Sequence, residues 1–544
     1  MLAILLKTWV ASVVLFSSTN ALPSSYTGLP SLLDATAEEL ALGLENNHFS
    51  SVDLVNAYTK RILEVNDTLH VVTEINPDAW KIASELDEER AAGNSRGPLH
   101  GLPVLLKNNI ATDDLMNNTD GSYALLGAKV PRDATVVAKL RKAGAIILGK
   151  ANLSQWTNFR SSNSSNGWSS HGGQVYGAYY PGQDPWGSSS GSSVASSLGL
   201  AVATLGTETD GSIILPSHQN NVVGIKPTVG LTSRAQVIPV SEHLDTIGPI
   251  ARTVKDAAYI LQAMAGTDQY DNYTSAIPNN GTLPDYVAAC TLDALKGKRI
   301  GVPRNYIGAR TETTAPILDA FESALQILTD AGATIVDNTN YTAYDQFITS
   351  GAEIAIVGTD FKANLASYLS SLTVNPNNLT TLADIRAFTQ SFPLDEYPDR
   401  DTATWDLVLS LNLTTSSPGY WAAHEEAQFL GGPGGILGAL ESYNLDAVVT
   451  PSYISAGISA IIGAPVISVP LGAYPEDTTV RTNPRGDLNL TAPNVPFGIS
   501  FSAGLWSEVD LIGFAYAFEQ RTKVREMVKP VVKPSTELWD VGRK

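Results

Sequence analysis

The sequence predicts an α/β protein in which helices alternate with the strands of a parallel or mixed β-sheet. Helical periodicity over residues 35–65 and 78–92 precedes a short apolar run, Pro103–Leu106, that is typical of a buried strand. A predicted helix, Thr135–Ala143, is followed at once by another such run, Ala145–Leu148. Strands that alternate with helices in this way favour βα units and a sheet with many parallel neighbours.

The same pattern returns in the second half of the chain. A predicted helix, Thr314–Ala331, lies between strand-like runs at Lys298–Val302 and Thr334–Val336. Near the C-terminus, Ala447–Pro451 and Pro465–Pro470 are typical of buried strands. Three further segments complete the prediction: a helix of small residues at Ser192–Leu200, and loop or sheet-edge segments at Ile225–Thr228 and Leu244–Val254.

The chain length leaves the number of domains open. With 544 residues, the chain suits either roughly two to four domains or one large α/β domain. A polar segment rich in proline and asparagine, 268–285, is the best candidate for an insertion or a boundary between lobes. A second polar segment, Tyr474–Val495, separates buried runs near the C-terminus.

Composition narrows the class of protein. Hydrophobic residues make up 43% of the chain and charged residues 16%, as in a globular protein with a large core. The net charge of −19 argues against a nucleic-acid or anionic-membrane partner, because phosphate binding requires a basic surface. The single Cys290 rules out an internal disulfide and a thiolate metal cluster, and we expect a packed thiol.

Met1–Ala21 is predicted to be a secretory signal peptide. Lys7 supplies a positive charge, Thr8–Phe16 a short apolar stretch, and Thr19-Asn20-Ala21 resembles a cleavage site. A hydrophobic N-terminal anchor is the alternative interpretation. The apolar stretch is too short for a membrane-spanning helix, and no later run reaches about 18 residues. We therefore expect secretion and no membrane span.

Frequent N-glycosylation sequons fit a secreted protein. The candidates are Asn66, Asn117, Asn163, Asn272, Asn280, Asn340, Asn378, Asn412 and Asn489. Asn152 also begins a sequon, but it lies next to a segment that we expect to be buried, so we expect no glycan there.

Three dispersed residues indicate acyl-transfer chemistry: Lys107 in GLPVLLKNN, Ser188 in GSSSGSS and Ser212 in GTETDGSIILP. A lysine and two serines can form a proton relay that needs no histidine. The glycines beside the serines leave backbone N–H groups free to hold an oxyanion. The apolar run before Lys107 fits a buried lysine. Lowering its pKa from about 10.4 to roughly 7–8, as a base requires, corresponds to about 3–5 kcal/mol.

The segment GSSSG also matches the nucleophile elbow of α/β-hydrolases, with Ser189 at its centre. That elbow requires a buried strand directly before the serine and a later histidine. The preceding YYPGQDPW contains two prolines and a polar run, which a central strand does not tolerate. The candidate histidines are His218, His243 and His424, each of which is better explained as a structural residue.

Residues 156–193 are rich in serine, glycine and asparagine but also carry many aromatic side chains. Disordered linkers seldom contain so many aromatics, so we expect an ordered loop beside the active site. We further expect residues 156–186 to form part of the acyl pocket, with Trp168 and Tyr176 as the residues to test.

Taken together, the segments resemble the amidase signature family over residues 35–530. The resemblance rests on GLPVLLKNN, GKANLSQW, WGSSSGSSVASSLGLAVATLGTETDGSIILPS, NVVGIKPTVGL, HLDTIGPIARTVKDAA, VVTPS and GAPVISVPLG, in the family's order. The motifs GTETDGSI and KPTVGLTSR look most like its peptide-amidase branch. The resemblance implies one amidase domain over residues 22–544, with core motifs in 100–260 and sheet segments in 445–515. The implied fold is a single large mixed sheet flanked by helices on both faces.

Carried over to this sequence, the family's motif makes Ser212 the nucleophile, Lys107 the base and Ser188 the bridging serine. A cis peptide bond before the bridging serine is also implied. The backbone N–H groups of Thr209, Asp210, Gly211 and Ser212 are the implied oxyanion hole.

Several positions depart from the family's usual residues. Asn108 stands where an aspartate commonly follows the lysine, and Ile214 where arginine is frequent. Glu208 and Asp210 stand in place of aspartate and glycine, and Trp186 and Ser190 in place of glycines. None removes a relay side chain, but the Asp210 carboxylate narrows the site and disfavours an anionic substrate.

The expected function is therefore a secreted serine amidohydrolase that cleaves a small-molecule or peptide amide without a cofactor. A carboxylesterase with the same relay and a catalytically inactive secreted binding protein are the alternatives. A transamidase role beside a partner protein fits poorly with secretion, and a metal hydrolase fits poorly because no closely spaced ligand set appears in the sequence. The sequence leaves the natural substrate and the oligomeric state open.

Overall fold

The computed structural model describes residues 28–541 of the chain. The predicted signal peptide, Met1–Ala21, lies outside these residues. None of the helices in the part that is described has an apolar stretch long enough to cross a bilayer.

A mixed sheet of 11 strands forms the centre of the molecule, with the order β1-β3-β2-β6-β8-β7-β12-β15-β11-β9-β10. Its strands are β1 (Val72–Ile75), β2 (Pro103–Lys107), β3 (Ile146–Ala151), β6 (Ala203–Glu208), β7 (Val223–Lys226), β8 (Thr246–Ala251), β9 (Arg299–Val302), β10 (Thr334–Asp337), β11 (Ala447–Pro451), β12 (Val466–Ala473) and β15 (Pro496–Ser502). The two-stranded pairs are β4 (Trp168–Ser169) with β5 (Gly173–Gln174), and β13 (Arg481–Thr482) with β14 (Asn489–Thr491). In the large sheet, β2 runs parallel to β3 and β6, whereas β8 runs antiparallel to β6 and β7.

Helices flank this sheet. They are α1 (Ala37–Glu45), α2 (Ser51–Leu69), α3 (Ala79–Ala91), α4 (Thr135–Lys142), α5 (Ser190–Ser197), α6 (Ile214–Gln219), α7 (Val254–Met264), α8 (Arg304–Ile307), α9 (Ala315–Asp330), α10 (Tyr344–Phe347), α11 (Ala352–Ser371), α12 (Leu382–Ser391), α13 (Ala403–Ser410), α14 (Pro418–Gly431), α15 (Ile436–Ser442), α16 (Gly457–Ala460), α17 (Glu508–Thr522) and α18 (Val524–Met527). Every residue of β2, β3, β6, β7, β8, β11 and β15 is buried. Successive side chains of a strand point to opposite faces of the sheet, so burial of all of them requires other elements packed on both faces. This arrangement agrees with the α/β class predicted from the sequence.

Two predicted edge segments are inner strands instead. Ile225–Thr228 overlaps β7 and Leu244–Val254 contains β8, and both strands lie in the middle of the sheet. Strand β8 contains a glycine at position 248. Gly248 is required there because a Cβ atom at this position would lie 1.9 Å from the carbonyl oxygen of Ile225.

The small residues of α5 allow this helix to lie directly on neighbouring backbone. A Cβ atom on Gly191 would lie 2.4 Å from the carbonyl oxygen of Asn152 and 2.5 Å from that of Val71. All eight residues of α5 are buried. The predicted small-residue helix is therefore confirmed, and it begins at Ser190, two residues before the expected start.

Segments distant in sequence join the same sheet. Residues 100–260 provide β2, β3, β6, β7 and β8, and residues 445–515 provide β11, β12 and β15. The segment 268–285 forms two short 3-10 turns, Asn272–Ala276 and Asn279–Gly281, between α7 and β9. Helices α11, α13 and α14 pack together into a second hydrophobic cluster that includes Trp156 and Trp405.

Candidate active site

The side chain of Lys107 lies at the C-terminal end of β2, fully buried. Its Nζ donates to Ser188 Oγ at 2.7 Å, to Thr207 Oγ1 at 2.9 Å and to the Thr207 carbonyl oxygen at 3.2 Å. Because β2 and β6 are parallel neighbours, their C-terminal ends meet at one edge of the sheet. This arrangement brings Lys107 to the strand that leads into the Ser212 turn.

Ser188 precedes α5 and follows a cis peptide bond from Gly187. Of the three consecutive serines, Ser188 is the one that bonds Lys107. The hydroxyl of Ser189 donates to the Thr207 carbonyl at 3.1 Å and accepts from the Thr207 N–H at 3.3 Å. The hydroxyl of Ser190 donates to the Trp186 carbonyl. Ser189 and Ser190 therefore stabilise the loop through hydrogen bonds to backbone groups.

Ser212 lies in the tight turn that joins β6 to α6. The N–H of Ser189 donates to the Ser212 carbonyl at 3.1 Å, which holds this turn against the Ser188 loop. Gly211 has a φ of +79°, where glycine is favoured, and a Cβ atom there would lie 2.6 Å from Leu215 Cδ1. Ser212 is 8% exposed, whereas Lys107 and Ser188 are completely buried.

Glu208 supports the same turn from the last position of β6. Its Oε2 accepts hydrogen bonds from the N–H groups of Ile213, at 2.7 Å, and Ile214, at 2.9 Å. These are N–H groups at the start of α6, where a carboxylate is favoured. Glu208 stands where many family members have aspartate, and its longer side chain stabilises the turn by accepting these two hydrogen bonds.

The predicted oxyanion donors lie at a cavity of about 380 Å³ that Thr209, Asp210 and Ser212 help to line. Within residues 28–541, the backbone N–H groups of Thr209–Ser212 make no hydrogen bond to other protein groups. Backbone donors without internal partners at the edge of a cavity are suited to bind a developing negative charge.

Electrostatics favour a neutral lysine. Burial lowers the pKa of Lys107, while the negative charges of Asp120, Asp245 and Glu208 oppose that shift. Burial likewise raises the pKa of Asp120, against the opposing charge of Lys107. A lysine that gives up its proton near neutral pH can act as a general base.

Two groups around Lys107 were not identified from the sequence. Thr207 accepts hydrogen bonds from Lys107 and, at 3.0 Å, from Asn109 Nδ2. Asp120 is buried, and its Oδ1 has no hydrogen-bond partner among the residues of the structure. In the sequence, the one indication that Thr207 contributes to the site was its position inside the motif GTETDGS.

Asn108 faces away from the lysine. Its Oδ1 accepts from the N–H and the hydroxyl of Thr119, both at 2.8 Å, and its Nδ2 donates to Thr73 Oγ1 at 2.9 Å. These bonds hold the turn that carries Asp120. The departure from aspartate at this position therefore acts on the scaffold around the site.

The cavity is apolar on one side and acidic on another. Its lining residues are Thr157, Asn158, Phe159, Asn166, Trp186, Gly187, Thr209, Asp210, Ser212, Leu215, Val240, Ser350, Glu353, Ile354 and Val357. The predicted loop 156–186 thus contributes Phe159 and Trp186. Trp168 and Tyr176 are absent from this lining, and their effect on substrate preference stays a prediction. Trp168 instead packs under the guanidinium of Arg400, 4.2 Å from its ring centroid.

Helix α11 brings Glu353 to Asp210 in this cavity. Asp210 is open to the cavity but lies deep in the protein, and its carboxyl group is within hydrogen-bonding reach of Glu353. Burial, with the nearby charges of Glu353 and Glu208, raises the pKa of Asp210 well above its ordinary value. Burial also raises the pKa of Glu353. The two carboxyl groups therefore oppose each other's ionisation, and a further negative charge in the cavity is unfavourable.

The features of an α/β-hydrolase elbow are absent between residues 175 and 189, where no strand leads into Ser189. His218 Nδ1 accepts from the N–H of Gly498 at 2.8 Å, and His243 Nδ1 lies 2.9 Å from Asp360 Oδ2.

Burial raises the pKa of the Cys290 thiol to about 12, which disfavours a thiolate there.

The sequons differ in their surroundings. Six of the candidate asparagines are exposed: Asn163, Asn272, Asn280, Asn340, Asn378 and Asn412. The other three are partly buried and donate through their side-chain Nδ2: Asn66 to the Val72 carbonyl, Asn117 to the Glu74 carboxylate, and Asn489 to the Pro181 carbonyl. Asn152 is buried, and its Nδ2 donates to the carbonyl groups of His70, Gly172 and Gly173.

Known proteins resemble this chain over nearly its whole length. The family model described as Amidase matches residues 53–512. A protein of Arthroderma benhamiae named "Putative amidase" is 51% identical over 531 residues, which cover 94% of this chain and 89% of the relative. The chain belongs to the amidase family. A protein of Arabidopsis thaliana named "Probable amidase" is 39% identical over 511 residues, which cover 92% of each chain.

Solved structures agree with this membership. Native peptide amidase from Stenotrophomonas maltophilia superposes with a TM-score of 0.81 at 37% identity, covering 92% of this chain and 99% of that chain. An amidase family protein from Bacillus anthracis gives 0.80 at 31% identity, covering 92% and 93%. The predicted amidase signature fold is therefore confirmed, and the protein is an amide hydrolase.

Proposed function

We propose that this amidase cleaves carboxamides through a relay of Lys107, Ser188 and Ser212. The observation that carries the proposal is the 2.7 Å hydrogen bond from Lys107 Nζ to Ser188 Oγ. This buried contact lies beside a turn with unpaired N–H groups. A base, a bridging hydroxyl and an oxyanion site thus occur within one small region.

The first half-reaction forms an acyl-enzyme. Neutral Lys107 takes the proton of Ser188 while Ser188 takes the proton of Ser212. The Ser212 Oγ forms a bond to the carbonyl carbon, and the carbonyl π electrons move to the oxygen. The N–H groups of Thr209–Ser212 stabilise that oxyanion. When the carbonyl reforms, the C–N bond breaks, and the relay returns a proton to the departing nitrogen, which leaves as ammonia or an amine.

The second half-reaction restores the enzyme. Neutral Lys107 accepts a proton from water through Ser188, and the hydroxide attacks the acyl carbon. Collapse of the second tetrahedral intermediate breaks the bond to Ser212 Oγ, which regains its proton. The product is a carboxylic acid. The same steps cleave an ester, so a carboxylesterase activity is the nearest alternative.

We infer that the substrate is a neutral or cationic amide, of which peptide amides are the leading class. The solved relative at 37% identity is named a peptide amidase, and another structure of that enzyme contains the competitive inhibitor chymostatin. The acidic pair Asp210 and Glu353 disfavours a second negative charge in the cavity. Apolar side chains such as Phe159 and Ile354 offer a wall for the acyl group.

A hydrolysis screen tests this proposal. Purified protein is incubated with peptide amides, fatty amides, aryl amides and aryl esters, beside Ser212→Ala and Ser189→Ala. We expect amide turnover that Ser212→Ala abolishes and Ser189→Ala retains. Turnover of esters alone would favour the esterase, and binding without turnover of any substrate would favour a catalytically inactive protein.

We further propose that the protein is secreted and glycosylated. The N-terminal sequence pattern and six exposed sequon asparagines support this proposal. Expression of the full chain in a eukaryotic secretory host is expected to give a glycoprotein in the medium that begins at Leu22. Glycopeptide mapping is expected to find glycans at the exposed asparagines and none at Asn152. Retention inside the cell with an intact N-terminus would contradict secretion.

A further inference from the structure

A cluster of two histidines and one aspartate lies outside the catalytic cavity. His243 precedes β8, Asp360 lies on α11 and His424 lies on α14. Each offers one nitrogen or oxygen atom, and these three atoms lie within 4.8 Å of one another. The three residues are far apart in sequence, which is why no ligand set was apparent from residue spacing.

The carboxylate of this cluster is buried and held in place. Asp360 has no exposed side-chain surface, while the His243 side chain remains 22% exposed. Asp360 Oδ2 accepts from Ser241 Oγ at 2.6 Å and lies 2.9 Å from His243 Nδ1, and Asp360 Oδ1 accepts from Tyr420 Oη. A buried carboxylate whose two oxygens are both held by hydrogen bonds is therefore available.

The second histidine supplies a nitrogen without a partner. His424 Nε2 is shielded from solvent and has no hydrogen bond to another residue of the structure. The imidazole rings of His243 and His424 lie 4.1 Å apart between centroids. A buried nitrogen without a partner is uncommon in proteins.

We propose that His243, Asp360 and His424 bind a divalent transition-metal ion of the Zn²⁺ type. Two imidazole nitrogens and one carboxylate oxygen form a donor set that suits Zn²⁺. Tyr420 and Ser241 orient the carboxylate, as groups around metal ligands commonly do. The exposed part of His243 leaves an entry path from solvent.

Such an ion would join α14 to α11 and to the loop of His243, and α11 lines the catalytic cavity. Helix α11 carries both Asp360 and the cavity residue Glu353. The loop of His243 continues to Asp245, which accepts from Thr209 Oγ1 at 2.6 Å. The ion would thereby hold α11 in place beside the cavity, and none of its three ligands is among the residues that line that cavity. This inference does not depend on the relay proposed above.

Metal binding to the full-length protein tests the site. After treatment with a chelator, we expect the protein to bind about one Zn²⁺ per chain in calorimetry and to gain thermal stability. Bound Co²⁺ is expected to give the visible absorption bands that are typical of low-symmetry coordination by nitrogen and oxygen atoms. Both signals are expected to disappear in His424→Gln and in His243→Gln, which give two independent variants if one folds poorly.

A matched control distinguishes Zn²⁺ binding at this site from nonspecific Zn²⁺ binding by a surface histidine. His48 is an exposed histidine elsewhere in the chain, and His48→Gln is expected to bind Zn²⁺ as the unchanged protein does. Tyr420→Phe is expected to lower the affinity about 10–100-fold, because the carboxylate loses an orienting donor. The absence of saturable binding, or equal binding by His424→Gln, would overturn the proposal.

Discussion

Lys107 Nζ donates a hydrogen bond of 2.7 Å to Ser188 Oγ, and neither side chain is exposed to solvent. The lysine ends β2, and the serine precedes α5. Burial lowers the pKa of the lysine, which prepares it to exchange a proton with the serine hydroxyl. This contact determines how the amidase should respond to changes in pH and in the neighbouring residues.

The first prediction concerns the acidic limb of the pH profile. Lys107 acts as a base only when neutral, so kcat/KM should rise as pH increases through its lowered pKa. The charge of Asp120 raises that pKa, and Asp120→Asn removes the charge. Asparagine also tolerates the φ of +48° at this position. The acidic limb is expected to move to lower pH in Asp120→Asn, and a profile that stays in place or moves to higher pH would be inconsistent with this account.

The second prediction concerns Thr207 as a positioning residue. Thr207→Val removes the hydroxyl that accepts from Lys107 Nζ and Asn109 Nδ2. A lost hydrogen bond of about 1–1.5 kcal/mol should reduce kcat roughly tenfold and leave KM nearly unchanged. The control is Thr204→Val on the same strand, where the hydroxyl donates to the Ser192 carbonyl. It should lower thermal stability without changing kcat, and equal losses of kcat in both variants would indicate a purely structural role.

The third prediction concerns the turn that presents the oxyanion donors. Gly211→Ala places a side chain at a φ of +79° and against Leu215. The displaced N–H groups should lower kcat about 10²–10³-fold, as the loss of an oxyanion donor does. Gly297→Ala introduces the same kind of backbone strain at a φ of +74°, with open space around it. That control should lose only stability, by about 1–2 kcal/mol.

The fourth prediction concerns selection by charge. Matched amides with an ω-ammonium, ω-methyl or ω-carboxylate group should be hydrolysed in that order of kcat/KM. The acidic pair of Asp210 and Glu353 should separate the cationic from the anionic member by at least about tenfold, or ~1.4 kcal/mol.

The matched variant for this selectivity is Glu353→Gln, which removes a carboxylate from the cavity. It is expected to reduce the preference and to retain turnover of the neutral amide. Glu45→Gln, at an exposed position on α1, should change neither value. Equal rates for all three substrates with the unchanged protein would refute charge selection while leaving the hydrolytic function intact.

Much of the framework was predictable because it is encoded locally. The strand ending at Lys107, the helix of small residues and the ordered aromatic loop each follow from the properties of neighbouring residues. The glycines around Ser212 likewise indicated backbone N–H groups without internal partners. The prediction of a loop or sheet edge was wrong at β8, an inner strand in which Gly248 permits close approach of the Ile225 carbonyl.

The remaining features depend on contacts between distant segments. Glu353 reaches Asp210 only because α11 covers the cavity, and nothing near either residue indicates their proximity. Asp360 and His424 are likewise brought to His243 by helix packing. Trp168 was chosen to test the role of the aromatic loop, and the distant residue Arg400 places its guanidinium against the Trp168 ring.

The most direct test of the account is the site of covalent labelling by a fluorophosphonate. The reagent reacts with an activated serine, and peptide mass spectrometry identifies the modified residue. We predict a single adduct on Ser212 that forms more slowly in Lys107→Ala and is absent from Ser212→Ala. The loss of amide hydrolysis in Ser212→Ala should be on the order of 10⁶-fold. An adduct on Ser189, or full amide turnover by Ser212→Ala, would contradict the proposed relay.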